Sequence, residues 1–165
     1  NTQLEELSFK DGLTGVFNRR YLMLRMEEES KRHARGRLPV SLVLIDLDHF
    51  KEINDQFGHT AGDEALKEIA RLLQEHSRGF TVVTRFGGDE FAVLLVDTPK
   101  AGAVAYSRRI NEVVGRHAFR HGPLTVSLGV ACLPEDVASS ADLIPAADKA
   151  LYEAKRLGRN RVGAL

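Results

Sequence analysis

Cysteine is nearly missing from this sequence: Cys132 stands alone. That excludes an internal disulfide framework and a cysteine-based zinc site. In a strand-like run a lone thiol reads as a small core residue. Net charge is missing too, because 23 Lys and Arg balance 23 Asp and Glu. No global field therefore draws the protein to nucleic acid or to a membrane surface, and any anion binding must come from local clusters. No apolar stretch approaches the ~20 residues that span a bilayer. Asn1–Lys10 has neither the basic start nor the apolar run of a signal peptide. There is no internal repeat, no low-complexity segment and no initiator Met. The chain is expected to be a piece of something longer, soluble and in a reduced, cytoplasmic setting.

What remains is the composition of one ordinary domain. At 165 residues, 43% hydrophobic and 28% charged, the chain is long enough to bury roughly 70% of its unfolded surface without disulfides. Residues 1–10, punctuated by Leu4 and Leu7, read as the end of a helix arriving from upstream. A long helix is expected over 18–35, capped by Asn18, with Phe17, Tyr21 and Leu22 starting its apolar face. Val40 to Asp46 (VSLVLID) reads as a central strand buried on both faces. A short helix over 49–57 stops at Gly58, and a stronger one covers 60–74. Strands over 81–86 and 91–96 flank Gly87-Gly88-Asp89-Glu90, a hairpin turn by its glycine pair. Thr98 and Pro99 open a helix reaching His117. Leu124 to Ala131 alternates large and small, a strand with one crowded face. Ser139 or Ser140 caps a last helix ending at Gly158, and Arg161–Leu165 forms a terminal strand. This order predicts one layer of helices on a sheet with both parallel and antiparallel pairs.

Carboxylates gather where strands meet turns. Asp46-Leu47-Asp48 ends the buried strand, Asp89-Glu90 sits in the hairpin turn, and Asn54 and Asp63 flank the Phe57-Gly58-His59 break. If the first strand lies beside the hairpin, Asp46 converges with Asp89 and Glu90. Hard oxygen ligands without His or Cys suit magnesium, which completes its shell with water and phosphate oxygens. Each residue also has a plainer reading. Asp46 and Asp48 can be strand-end residues, Asp63 sits near a capping-box spacing from Thr60, and Lys155 and Arg159 lie where a helix C-terminus favours cations. Two adjacent acids in a glycine turn are harder to explain structurally, since like charges in contact are unfavourable without a neutralising cation.

Gly87-Gly88-Asp89-Glu90-Phe91 resembles the motif that names the GGDEF family of bacterial diguanylate cyclases. Three further blocks resemble that family in order and spacing: Asp11 to Arg20, Asp46 to Asp55 with Phe57-Gly58-His59 and Gly62-Asp63, and Ala147 to Lys155 leading into Gly158-Arg159-Asn160. The resemblance covers nearly the whole chain and assigns residues 11–165 to the catalytic domain, after a linker helix ending at residue 10. It implies an α+β fold similar to nucleotide cyclases and the polymerase palm, with a mixed, mainly antiparallel central sheet flanked by helices. It implies condensation of two GTP molecules into cyclic di-GMP with release of pyrophosphate.

The same resemblance implies roles residue by residue. Asp46 and the Leu47 carbonyl bind metal. Asp89 binds metal and acts as base for the ribose hydroxyl, and Glu90 is the second motif acid at the second metal. Two magnesium ions per site are implied, with manganese as a substitute. Gly87 and Gly88 admit the nucleotide to the backbone. Asn54 and Asp63 read guanine. His49, Phe50 and Lys51 form a phosphate-contacting turn at a helix start. Lys155 and Arg159, four residues apart, grip the terminal phosphates. A homodimer with two-fold symmetry brings two nucleotides together, and an upstream sensory or dimerising domain controls it. No nucleic acid is a partner, and a membrane enters only through other domains of a membrane-bound sensor. Two further readings carry no catalysis: a nucleotide-sensing module, and a structural dimerisation domain. Intact Asp46, Asp89 and Glu90 weigh against the first, and the retained guanine and phosphate residues weigh against the second.

One departure from a common family pattern stands out. Many members carry an R-x-x-D product-binding site before the motif, and the matching residues here are Arg78-Gly79-Phe80-Thr81. Arg78 is the remnant of that site; threonine replaces the acid.

Overall fold

A computed structural model describes residues 8–164. The expected upstream helix lies mostly outside the described residues; Ser8 and Phe9 are helical. The elements are β1 (Phe17–Asn18), α1 (Arg19–Gly36), β2 (Val40–Leu47), α2 (Phe50–Phe57), α3 (His59–Glu75), β3 (Thr81–Arg85), β4 (Glu90–Val96), α4 (Lys100–Arg116), β5 (Val126–Leu133), α5 (Leu143–Arg156) and β6 (Val162–Ala164). They form one six-stranded sheet in the order β1-β3-β4-β2-β5-β6. The three inner pairings are antiparallel and the two outer ones parallel. Among the described residues no helix is long and apolar enough to cross a membrane.

Helices cover both faces of this sheet, not one. Val43, Ile45 and Leu47 of β2 face Leu66, Ile69 and Leu73 of α3 and Tyr106, Ile110 and Val114 of α4. The alternate residues Leu42 and Leu44 face Leu22 and Met26 of α1 and Leu143, Ala147 and Leu151 of α5. The period-two alternation of a strand explains why VSLVLID reads as continuously apolar: each face has its own helical layer.

The small residues of β5 account for the missing layer. This strand runs two residues later than its alternation predicts, and all of it is buried. Its small side is a seat, not an open face. A Cβ on Gly129 would run into the backbone of Ala147 and Leu151, and one on Gly163 into that of Ala150. Helix α5 therefore rests on the backbone of β5 and β6.

Local signals set several boundaries. The Asn18 side chain accepts from the Tyr21 amide at 3.0 Å, capping α1 as its sequence position implies. Phe17, expected on the helix face, belongs instead to β1, where it stacks on Tyr21 with ring centroids 4.0 Å apart. Thr98 does not cap α4; its hydroxyl donates to the Val96 carbonyl at 2.9 Å and Pro99 takes the cap position. Phe91, the last motif residue, is wholly buried and anchors the hairpin in the core. Burial of such a ring stabilises the fold by roughly 1.5–3 kcal/mol.

Candidate active site

The hairpin turn is shorter than its sequence implies, because Glu90 is a strand residue. The Glu90 carbonyl accepts from Phe86 N at 2.8 Å and Gly87 N at 3.2 Å, which closes the turn around Gly87, Gly88 and Asp89. In register, Glu90 stands directly opposite Asp46 on β2. The Leu47 amide donates to the Asp89 carbonyl at 3.2 Å, fixing the end of β2 to the turn. Asp46, Asp89 and Glu90 thus meet at one end of the β2–β4 pair.

Asp46 is buried, and its Oδ1 has no hydrogen-bond partner among the described residues. Its Oδ2 pairs with the Lys155 ammonium from α5. Burial pushes the Asp46 carboxyl above the ordinary carboxylate range; the charges of Asp89 and Asp48 add to this, and Lys155 opposes it. Glu90 is raised as well, by burial first and then by the Asp46 charge. A buried acid with an unused oxygen, facing another acid, is an arrangement that a cation relieves. No three His, Cys, Asp or Glu side chains among the described residues form a ready-made metal cage. Magnesium does not need one: it binds through one or two carboxylates and keeps water or substrate oxygens. The donors present fit a hard divalent ion.

A cleft of about 220 Å³ opens beside these acids, lined by Asp46, Leu47, Asp48, His49, Phe50, Lys51, Asp89, Lys155 and Arg159. His49 sits at φ 57, just before the first turn of α2, and its ring is 3.6 Å from Glu52. The first amides of a helix lack intrahelical partners, and Phe50 and Lys51, at the first turn of α2, line the cleft. A Cβ on Gly87 would sit 3.3 Å from a Glu90 carboxylate oxygen, while the space beside Gly88 is open.

Asn54 packs across the α2–α3 break against Gly62, the residue before Asp63. A Cβ on Gly62 would collide with the Asn54 side chain, whose buried Oδ1 has no partner among the described residues. Asp63 is exposed, and α3 has no side-chain cap; the capping alternative for Asp63 is not realised. Asn54 and Asp63 do not line the 220 Å³ cleft. A separate cavity of about 330 Å³, lined by Ile53, Glu64, Phe119 and His121 among others, contains none of the carboxylate cluster. Arg78 lies elsewhere again, in a hollow of about 510 Å³ with Thr81, Tyr106 and Arg109.

Two residues to which the sequence assigns no role in the site shape it: Arg85, and Asp48, named only as one of the strand-end acids. Arg85 donates to the Gly88 carbonyl at 2.8 Å and reaches the Asp11 carboxylate at 3.4 Å. Asp48, buried in the cleft wall, accepts from Thr125 and Ser127. Arg85 and Asp11 are 74 residues apart, and Asp48 lies 77 and 79 residues from Thr125 and Ser127, separations that no local signal reports.

Over residues 8–161 the sequence matches the family described as diguanylate cyclase, GGDEF domain. It is 43% identical over 165 residues to the probable diguanylate cyclase DgcC of Escherichia coli, covering 96% of this chain and 44% of that protein. To the response regulator PleD of Caulobacter vibrioides it is 40% identical over 163 residues, 95% of this chain and 36% of that one. The chain thus spans less than half the length of these curated relatives. Among solved structures, the coiled coil and GGDEF domain of DgcB from Caulobacter crescentus, in complex with c-di-GMP, matches with a TM-score of 0.93 at 29% identity, over 99% of this chain and 89% of that one. The diguanylate cyclase SiaD from Pseudomonas aeruginosa, in complex with its activator SiaC, matches with a TM-score of 0.90 at 36% identity, over 100% of this chain and 65% of that one.

Proposed function

The chain belongs to the diguanylate cyclase GGDEF domain family, and on that basis we propose that it condenses two GTP molecules into cyclic di-GMP. In each half of the reaction a ribose 3′-hydroxyl attacks the α-phosphorus of the other GTP. The new O–P bond forms as the bond to the β-phosphate bridging oxygen breaks, and pyrophosphate leaves with that electron pair. The observation that carries this reading is Asp46 placed opposite Glu90 with an unused buried oxygen, beside a cleft that Lys155 and Arg159 help to line.

Asp46, the Leu47 carbonyl, Asp89 and Glu90 would hold the magnesium or manganese ions, two per site. Such ions, when bound, lower the pKa of an attacking hydroxyl and neutralise charge on a leaving phosphate. Asp89 stands in the turn with its carboxylate free to accept the hydroxyl proton, and the Gly88 side leaves room for the nucleotide. The amides at the start of α2 meet phosphate oxygens, as helix N-termini do. Lys155 and Arg159 meet the terminal phosphates, and Asn54 and Asp63 select guanine by hydrogen bonds to its edge. One site holds one GTP, so two chains must face each other around a two-fold axis. The greater length of the relatives leaves room for the controlling upstream domain, which sets how two catalytic domains meet. A cytoplasmic setting supplies the GTP.

Incubation with GTP and magnesium, followed by chromatography, tests the reading. Cyclic di-GMP and pyrophosphate are expected, with a rate rising as the square of chain concentration when chains are dilute. Absence of product over the whole concentration range overturns it.

A further inference from the structure

We propose that Asp48 is a positioning residue that sets the phosphate-facing Arg159 by holding the backbone of its neighbour Asn160. The proposal rests on the reading above, in which Arg159 grips the GTP phosphates.

Asp48 is 5% exposed, and among the described residues no cation pairs with it. Neutral donors satisfy it instead. Its Oδ1 accepts from Ser127 Oγ at 2.7 Å. Its Oδ2 accepts from Thr125 Oγ1 at 2.7 Å and from the Asn160 amide at 3.0 Å. The Ser127 hydroxyl, having given its proton to Asp48, also accepts from that amide at 3.2 Å. A carboxylate forms stronger hydrogen bonds to such donors than a neutral group does. The amide of Asn160 is thereby tied to the end of β2 and to β5 at once.

The segment so tied would not hold its shape by itself. Gly158, Arg159 and Asn160 all have positive φ, at 122°, 64° and 46°. For an arginine this region is unfavourable and persists only when its surroundings impose it. The surroundings do so from three sides. The Arg159 amide donates to the Ala154 carbonyl at 3.0 Å, closing the end of α5. Asn111 of α4 donates to the Asn160 side-chain oxygen at 3.0 Å and to the Val126 carbonyl at 3.1 Å. Asp48 supplies the third restraint, from the same strand end that carries Asp46. Arg159 is exposed, lines the cleft and gains its direction from this backbone. The acid two residues after the metal-facing Asp46 thus couples the metal end of the cleft to its phosphate end.

The chemistry of the three donors separates two substitutions. In Asp48→Asn the amide oxygen still accepts from Thr125 and Asn160, and its NH2 group meets Ser127 Oγ, which can accept. In Asp48→Ala every bond to Asn160 from this side is lost except the one to Ser127. Binding of magnesium with 3′-deoxy-GTP, which lacks the attacking hydroxyl, and of GMP would be measured by calorimetry. Asp48→Ala should weaken 3′-deoxy-GTP about tenfold, the scale of losing one ionic hydrogen-bond partner, and GMP by less than about twofold. Asp48→Asn should stay near the parent protein. In an Arg159→Ala background, Asp48→Ala should add less than about twofold, because both act through one guanidinium. Exchange of the Asn160 amide proton should speed up in Asp48→Ala and not in Asp48→Asn. Asn111→Ala, which leaves Asp48 in place, should weaken 3′-deoxy-GTP in the same direction and spare GMP. Equal losses of GMP and 3′-deoxy-GTP, or additive losses with Arg159→Ala, overturn the proposal. Loss of 3′-deoxy-GTP affinity in Arg159→Ala with none in Asp48→Ala sinks the positioning role alone. No loss in Arg159→Ala sinks the phosphate reading beneath it.

Discussion

Arg85 holds the Gly88 carbonyl at 2.8 Å from one nitrogen while the other lies 3.4 Å from Asp11. One side chain on β3 therefore links the motif turn to the segment that enters the domain. The Asp11 carboxylate is itself fixed by the Thr14 amide at 2.9 Å and the Thr14 hydroxyl at 2.6 Å. Arg85→Ala should lower the turnover of GTP at least about tenfold by loosening the turn that presents Asp89. It should also lower Tm, on the order of 5 °C, through the loss of ionic hydrogen bonds. Initial rates and a thermal melt on one preparation check both; unchanged turnover would mean that the turn holds itself.

Asp89→Ala should abolish cyclic di-GMP formation and leave the fold intact, with Tm no lower than the parent's because a like charge beside Asp46 and Glu90 is removed. Its side chain is half-exposed in the turn, and only its backbone carbonyl takes part in the fold, accepting from Leu47. Loss of a general base costs about 10²–10⁴-fold. Product formation at the parental rate would remove Asp89 from the chemistry.

Asp63→Ala separates base reading from helix capping. The absence of a side-chain cap on α3 predicts an unchanged Tm. GTP affinity should fall about 10–100-fold if a charge-assisted bond to guanine is lost. Calorimetry and melting on the same variant decide between them, since a cap would move only the second.

Feedback by product should be weak. Thr81 donates its hydroxyl to the Arg78 carbonyl at 2.8 Å, so it offers neither charge nor a two-oxygen acceptor beside Arg78. Arg78→Ala should change inhibition by cyclic di-GMP less than about twofold, and Thr81→Asp should strengthen it about tenfold. Potent non-competitive inhibition that disappears in Arg78→Ala would show the opposite.

The raised carboxyls make a pH prediction of definite sign. Between the ordinary Asp value of 3.8 and its raised folded value, Asp46 binds more proton when folded than unfolded. Stability then falls as pH rises through that window. Asp46→Asn should raise Tm at neutral pH, with a gain that shrinks as pH approaches about 4. A constant gain across that range would count against a buried charge as the cause. Stability sacrificed at an acid that serves binding is a common trade.

Chemistry in contiguous blocks was legible in the sequence, while what long-range pairing sets was not. Val40–Asp46 shows its strand because both faces are aliphatic, and Asn18 shows its cap because the bond spans three residues. Glu90 sits in the turn on paper and in β4 in fact, since its register with Asp46 depends on partners 44 residues apart. Asp48 looks like a strand end until the Asn160 amide, 112 residues on, is seen to donate to it. The order of elements alone implies one helical layer, because Gly129 looks like an absence of packing, whereas it is the place where a helix backbone lands; the resemblance implies the flanking helices that the structure has.

That landing has a mechanical consequence. Between most packed elements, side chains form a compliant cushion that absorbs small shifts by changing rotamer. Beneath α5 there is none at Gly129 and Gly163, and backbone meets backbone as a key meets its slot. A displacement of β5 therefore passes to α5 undamped, and with it to Lys155, the helix's ion-pair partner for Asp46. The cation and the acid it faces keep their spacing because they ride on one stiff piece of the molecule.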